Sequence, residues 1–180
     1  MILVFDVGNT ETTMGLLAGA ELRAHWRLIS GVPRTSDEFG VLVRGLLHAE
    51  DFDAGDVDGV AIASVVPAVT EPLAAACRRI ADGHVVLVDA TTPLPIRVDV
   101  DEPLTVGADR LVNTLAASRL FGTDAIVVDL GTATTFDCIT GDGVFIGGVI
   151  APGVQTALET LVRRTSKLPA TELVVPAHVI

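Results

Sequence analysis

One short turn motif occurs twice in this sequence, and the repeat constrains the fold more than any other feature. An apolar run leads into Asp6-Val-Gly-Asn-Thr, and 123 residues further on another apolar run leads into Asp129-Leu-Gly-Thr. Glycine permits positive φ and close approach of backbone N–H groups to an anion, while Asn and Thr add short side-chain donors. The repeat predicts two facing turns that hold the phosphates of a nucleotide from both sides. A single copy would be equally typical of an ordinary strand-ending turn.

The position of the first aspartate within its motif indicates a role beside phosphates. A carboxylate at the end of a strand can hold Mg²⁺, usually through water, and Asp6 has this position. Two common nucleotide motifs are missing from the sequence, namely a GxxxxGK[ST] loop and a GxGxxG that follows a strand. The two Asp-x-Gly turns are therefore the candidates for phosphate binding.

Two further glycine-containing segments carry polar chemistry. Gly107-Ala-Asp-Arg110 precedes a helical pattern, where the helix dipole favours an ionised Asp109 that could accept a hydroxyl proton in phosphoryl transfer. Arg110 could orient an anionic or hydroxyl-rich substrate. The alternative is an ordinary N-terminal acid with a solvated neighbour. The segment 147–153 could lie against an adenine ring or a ribose, or could simply be a tight strand–helix connection.

Charge and composition exclude several classes of partner. The chain has 12 Lys and Arg against 23 Asp and Glu, a net charge of −11, which argues against nucleic acid and anionic membranes. Tyrosine is absent, so base-stacking surfaces are not expected. We expect no signal peptide, no membrane span and no disulfide, because Cys77 and Cys138 are far apart. These features favour the cytoplasm.

Hydrophobic periodicity predicts an α/β protein of two domains. Proline-rich residues 91–105 suggest a boundary that gives domains 1–105 and 106–180. Helices are predicted to begin at Thr35, which opens a capping box with Glu38, and at Thr70. Two later helical patterns cover about 108–115 and 154–162. The strands are predicted at 2–5, 12–17, 22–29, 60–66, 85–88, 125–128, 134–139 and 144–150.

The ordered set of motifs resembles the type III pantothenate kinases, a branch of the actin, sugar-kinase and heat-shock-chaperone ATPase superfamily. The resemblance extends over nearly the whole chain. It rests on Asp6-Val-Gly-Asn-Thr, Arg34-Thr-Ser-Asp-Glu, Ser64-Val-Val-Pro, Val106-Gly-Ala-Asp-Arg, Asp129-Leu-Gly-Thr-Ala-Thr-Thr-Phe-Asp137, Gly147-Gly-Val-Ile-Ala-Pro-Gly153 and Lys167-Leu-Pro. It implies a ribonuclease-H-like fold with two related mixed-sheet domains, the second of them incomplete.

The resemblance also implies an activity and a set of site residues. The activity is ATP-dependent phosphorylation of pantothenate to 4'-phosphopantothenate, the first step towards coenzyme A. The family's general base corresponds to Asp109, and its monovalent cation, K⁺ or NH₄⁺, to Asp129. ATP would be bound with Mg²⁺, and the enzyme would be a cytoplasmic homodimer. The ATP-binding residues would be Asp6, Gly8, Asn9, Thr10, Gly131 and Thr132, and the substrate-binding residues Val100, Gly107, Ala108 and Arg110.

Three departures from the family pattern leave other functions open. Val100 stands where many relatives have an aromatic residue, Glu11 places a negative charge beside the first turn, and the family continues past Ile180. A non-catalytic homologue that binds nucleotide and acts through protein contacts is therefore an alternative. A sugar or acetate kinase of the same superfamily is another.

Overall fold

Two mixed β-sheets form the frame of the chain. The computed structural model describes residues 1–167, 169, 173–175 and 178. Two positions of the sequence-based expectations, Leu168 in the Lys167-Leu-Pro motif and Ile180 at the end of the second domain, lie outside these residues. No helix among the described residues is long and apolar enough to cross a bilayer.

The first sheet has the strand order β3-β2-β1-β4-β5. Its first three strands form an antiparallel meander, while β4 pairs in parallel with both β1 and β5. Two helices connect the later strands. The elements are β1 (Ile2–Val7), β2 (Glu11–Ala18), β3 (Glu21–Ile29), α1 (Ser36–Ala49), β4 (Gly59–Ser64), α2 (Pro67–Arg78) and β5 (Val85–Val88).

The second sheet repeats the beginning of the first. Its strand order is β6-β9-β8-β7, in which β7, β8 and β9 form an antiparallel meander like that of β1, β2 and β3. Within the described residues β7 pairs only with β8, whereas its counterpart β1 also pairs with β4. The predicted α/β fold with two related mixed sheets is thus confirmed. The elements are β6 (Arg97–Val98), α3 (Ala108–Leu120), β7 (Ala125–Leu130), β8 (Ala133–Ile139), β9 (Val144–Pro152) and α4 (Val154–Arg164).

Alternation along β1 and β2 creates the main hydrophobic core. Successive side chains of a strand point to opposite faces, so every second residue of these strands is buried under α1 and α2. Each fully buried aliphatic or aromatic side chain contributes about 1.5–3 kcal/mol of transfer free energy. This core fixes the strand ends that carry the first turn. Its central members are Leu3, Phe5, Val7, Met14, Leu16, Phe39, Val43, Leu47 and Leu73.

Several sequence-based boundaries need correction. The second helix begins at Pro67, not at Thr70, so β4 ends at Ser64 and Pro72 lies inside the helix. Proline suits the first helical position because it has no N–H to leave unsatisfied. The Thr70 hydroxyl bonds back to the Val66 carbonyl and to Ser64 instead of capping a helix. In contrast, the capping box of Thr35 and Glu38 is confirmed.

The proline-rich segment contains structure that the sequence patterns did not predict. Two-residue β6 pairs in parallel with β9 and so belongs to the second sheet, although it precedes residue 106. A short 3-10 turn at Pro103–Thr105 lies in the same segment, and another at Ala54–Asp56 lies between α1 and β4. The domain boundary at 105/106 remains a prediction, and β6 lies on the first-domain side of it.

Candidate active site

The two Asp-x-Gly turns meet at one point between the sheets. Each turn follows the first strand of its meander, β1 or β7, and leads into the second. The hydroxyl oxygens of Thr10 and Thr132 lie 2.7 Å apart in a hydrogen bond across the two turns. The prediction that the turns face each other is therefore confirmed.

The first turn is closed by a backbone hydrogen bond from Gly8 to the Glu11 carbonyl, at 3.0 Å. A Cβ on Gly8 would lie only 3.1 Å from this carbonyl oxygen, which explains the glycine. Asn9 and Thr10 are exposed at the tip. The carboxylate of Glu11 lies 3.6 Å from the Arg27 guanidinium on β3, so its charge is offset on its own sheet.

The second turn is one residue shorter than the first. Asp6 is paired with Thr13 across the first hairpin, whereas Asp129 is paired with Thr135. Gly131 donates to the Ala133 carbonyl at 2.9 Å.

The start of α4 supports this second turn. The Thr132 carbonyl accepts hydrogen bonds from the Gly153 N–H at 3.0 Å and from the Thr156 hydroxyl at 2.9 Å. An added Cβ at Gly153 would overlap the carbonyl groups of Gly131 and Thr132. The glycine-rich end of β9 is therefore a support for the second turn. Thr156 was not predicted, because one threonine inside a helical pattern gives no signal of a long-range contact.

Asp109 lies at the beginning of α3. Gly107 is the N-cap residue and Ala108 the buried first residue of the helix. The Asp109 carboxylate folds back over the helix start and accepts a hydrogen bond from the Arg110 N–H at 2.8 Å. A Cβ on Gly107 would lie 2.5 Å from Asp109 Oδ1, so this glycine leaves room for the carboxylate. The positive end of the helix dipole favours its negative charge.

Three carboxylates of the predicted site are close enough to influence one another. The pKa of Asp6 is raised above its ordinary value, first because surrounding protein atoms desolvate the carboxylate and then because of the charges on Asp109 and Asp129. The desolvation is partial, since the Asp6 side chain still reaches solvent. The structure therefore brings together the two strand-end aspartates and the helix-start aspartate that the sequence pointed to.

The donor chemistry at this site fits cations. Burial and the charges of Asp109 and Asp129 raise the pKa of Asp6, so its ionised form is stabilised when a cation neutralises part of this charge. Among the described residues, no three acidic, histidine or cysteine side chains converge closely enough to hold a metal by themselves. The carboxylates of Asp6 and Asp129 are oxygen donors of the kind that hard cations prefer.

Arg110 does not extend freely into the site, because a buried partner holds it. Its Nε donates to Asp137 Oδ1 on β8 at 2.6 Å, and its guanidinium lies 4.9 Å from the centre of the Phe145 ring. Val100 follows β6 and lies close to Gly147 on β9, two residues from Phe145. Arg110 and Val100, two of the predicted substrate-binding residues, thus each lie against β9. The sequence patterns did not single out Asp137 or Phe145 as functional.

Solved structures with a similar fold belong to one class. A protein from Campylobacter jejuni described as a Baf family transcriptional activator superposes with a TM-score of 0.54 at 19% identity, over 92% of this chain and 62% of that one. A 2-dehydro-3-deoxygalactonokinase homologue from Sinorhizobium meliloti superposes with a TM-score of 0.53 at 14% identity, over 92% and 57%. The sheet order and the paired turns define this chain as a member of the actin-like ATPase and sugar-kinase fold class.

Sequence comparison narrows this class to one family. The chain belongs to the type III pantothenate kinase family, whose model matches residues 2–180. It is 42% identical over 181 residues to the type III pantothenate kinase of Thermobifida fusca and 45% identical over 183 residues to that of Moorella thermoacetica. The matches cover all of this chain and 70% and 71% of those proteins.

Proposed function

We propose that this protein transfers the γ-phosphoryl group of ATP to the primary hydroxyl of pantothenate, which gives 4'-phosphopantothenate on the route to coenzyme A. The main observation in support of the proposal is that the two turns meet at Thr10 and Thr132. Asp6, which leads into the first turn, is close enough to the helix-start carboxylate Asp109 to feel its charge. Membership of the type III pantothenate kinase family supports the choice of substrate.

The triphosphate would be bound between the two turns. Gly8 and Gly131 would let the phosphates approach the backbone closely, and the side chains of Asn9, Thr10 and Thr132 would supply donors to their oxygens. The hydrogen bond between the Thr10 and Thr132 hydroxyls would then be exchanged for hydrogen bonds to phosphate. Both turns end strands of packed sheets, so the donors are held in place before the nucleotide arrives, and such preorganisation is the main source of catalysis in phosphoryl transfer.

Asp109 would act as the general base. Its carboxylate takes the proton of the pantothenate primary hydroxyl, the hydroxyl oxygen forms a bond to the γ-phosphorus, and the bond from that phosphorus to the bridging oxygen breaks. ADP leaves with the electron pair of the broken bond, and the Asp109 proton passes to solvent. Because the transition state is loose, orientation of the hydroxyl matters more than strong basicity of the carboxylate.

Cations are required by the charge at this site. Asp6, Asp109 and Asp129 would face a triphosphate that is itself strongly negative. Mg²⁺, held through water by Asp6, would neutralise developing charge on the phosphates. Asp129 would hold K⁺ or NH₄⁺ near the second turn.

Pantothenate would lie beside α3 and β9. Gly107 and Ala108 would present the helix start to the substrate, and Arg110 and Val100 would form its far wall. The half-buried Val100 offers an aliphatic contact in the position where relatives often have an aromatic ring.

We further propose that the enzyme is a cytoplasmic homodimer whose interface covers apolar residues of the second sheet. Ile126, Val128 and Leu130 alternate along β7 with 64%, 49% and 73% of their surfaces exposed. Rows of exposed apolar residues of this kind mark interaction surfaces. Sedimentation of the protein at several concentrations tests this, and a monomer at all of them would overturn the assembly proposal.

A substrate panel tests the proposed activity. ADP release by the protein with Mg²⁺, K⁺ and ATP is measured with pantothenate, N-acetylglucosamine, 2-dehydro-3-deoxygalactonate or acetate as the acceptor. We expect pantothenate alone to accelerate ADP release, with kcat/KM at least about 100-fold above the other acceptors, since a site that hydrogen-bonds its substrate rejects analogues strongly. A faster reaction with another acceptor, or nucleotide binding without any stimulated release, would contradict the proposal.

A further inference from the structure

The ion pair between Arg110 and Asp137 is the most unusual buried feature of the second sheet. Asp137 has no exposed surface, and its Oδ1 accepts a hydrogen bond from Arg110 Nε at 2.6 Å. Burial raises the pKa of the Asp137 carboxyl, and the adjacent Arg110 opposes this shift. Buried ion pairs rarely stabilise a fold more than apolar side chains of equal size would. A role beyond stability is therefore worth seeking.

The arginine is fixed on three sides. Asp137 binds its Nε, the ring of Phe145 lies 4.9 Å from its guanidinium carbon, and Gly148 lies against its Nη2. A Cβ on Gly148 would lie 2.5 Å from Nη2 and 3.0 Å from Asp137 Oδ1. These contacts restrict the side chain of Arg110, which remains 16% exposed.

The pair is also incompletely satisfied. In the part of the chain that the structure describes, Arg110 Nη2 and Asp137 Oδ2 are buried without a hydrogen-bond partner. A guanidinium usually binds a carboxylate through two parallel hydrogen bonds, and the single bond through Nε leaves the other nitrogens uncommitted. Because Nη2 is buried, Nη1, which is not among these buried atoms, is the guanidinium nitrogen that would contact an oxygen of the substrate.

We infer that Asp137 is a positioning residue for pantothenate, which holds Arg110 in the pose that contacts the substrate. This inference rests on the proposed function. Arg110 directly follows Asp109 in the first turn of α3, so an arginine locked to β8 also fixes the substrate relative to the base. Among the described residues the Asp137 carboxylate is hydrogen-bonded to Arg110 alone, so its influence on the reaction passes through that side chain.

The test is a double-mutant cycle on the full protein with separate KM values for pantothenate and ATP. In Asp137→Ala we expect the KM for pantothenate to rise at least about tenfold, because the arginine loses its anchor, while the KM for ATP changes less than about threefold. Asp137→Asn keeps an oxygen that accepts from Nε and should recover most of the loss. In an Arg110→Met background, Asp137→Ala should have no further effect on either KM.

The controls separate the possible failures. Asp56→Ala removes an exposed acid from a 3-10 turn of the first sheet and should match the parent protein. Thermal melting and circular dichroism identify variants that do not fold, and the Asp137→Asn variant then carries the comparison. A folded Asp137→Ala with the parent's KM for pantothenate, equal effects on both substrates, or additive effects in the cycle would overturn the inference. If the parent protein itself showed no pantothenate-dependent turnover, the proposed function would be overturned instead.

Discussion

Substitution of Gly153 by alanine is expected to displace the second turn. The backbone of Gly153 has φ of −63° and ψ of 159°, which alanine adopts without strain. The obstacle is contact, since an added Cβ would lie 2.6 Å from the Thr132 carbonyl oxygen and closer still to that of Gly131. Ordinary contacts begin near 3.4 Å, so the turn and the start of α4 must separate by roughly 1.3 Å to relieve the contact with the Gly131 oxygen.

The size of the effect follows from this displacement. Overpacking of a tight backbone contact costs about 1–3 kcal/mol. For a protein of this size, each kcal/mol lowers Tm by roughly 2–4 °C. A displacement near 1 Å in a site that works by positioning costs on the order of 100-fold in rate. We therefore expect Gly153→Ala to weaken Mg-ADP binding and to reduce pantothenate-dependent ADP release about 100-fold.

The matched control is Gly45→Ala in α1. No atom lies within 4 Å of an added Cβ at this helical position, and alanine is the better helix former by about 0.5–1 kcal/mol, so this variant should melt slightly higher than the parent. Calorimetric titration with Mg-ADP, ADP release and thermal melting are measured for both variants. A folded Gly153→Ala with the parent's nucleotide affinity and turnover would refute the assignment of this turn to phosphate binding.

Three further substitutions test separate parts of the structure. Asp6→Asn should raise Tm by a few °C at pH 7, because burial and neighbouring carboxylates raise the pKa of Asp6 above 3.8. The protonated carboxyl group of Asp6 stabilises the folded state. This contribution is fully present below the pKa of Asp6 in the unfolded state and is lost as the pH rises through its pKa in the folded state. Asp6→Asn should therefore give no increase in Tm at pH 3. Gly107→Ala should lower kcat about 10- to 100-fold by displacing the Asp109 carboxylate, with Mg-ADP affinity measured alongside and expected to stay within about threefold. Thr35→Ala removes the N-cap of α1 and should cost about 1 kcal/mol in denaturant unfolding without changing the KM for either substrate.

The parts of the fold that the sequence predicts are those with local causes. Alternating apolar residues mark β1 and β2, and the Thr35 capping box marks the start of α1, because each signal acts within a few residues. The repeated Asp-x-Gly motif predicts two equivalent turns, and their equivalence places them in equivalent positions of two related sheets.

The errors arise where a local pattern fits two positions equally well or where pairing is long range. Thr70 and Pro67 both suit a helix start, and the backbone hydrogen bond from the Thr70 N–H to the Val66 carbonyl shows that Thr70 lies within the helix. Two-residue β6 is too short for any periodicity and exists through its pairing with β9.

The positions around Arg110 show what a sequence pattern cannot provide. Asp137 lies two residues before the buried Ile139, so strand alternation would have placed it on the inner face of β8. Nothing local indicates that an arginine 27 residues earlier lies opposite to it. For Glu11 the structure answers a question left by the sequence, since Arg27 on β3 lies beside its carboxylate.

We propose that the two Asp-x-Gly turns of this kinase bind the nucleotide while Asp109 takes the proton of the acceptor hydroxyl. The most direct measurement compares the parent protein with Asp109→Asn, and follows Mg-ADP affinity together with transfer of labelled γ-phosphate from ATP to pantothenate. We expect Asp109→Asn to keep the parent's nucleotide affinity within about threefold and to lose transfer by at least about 100-fold. Transfer to pantothenate at the parent's rate in Asp109→Asn would contradict the proposal.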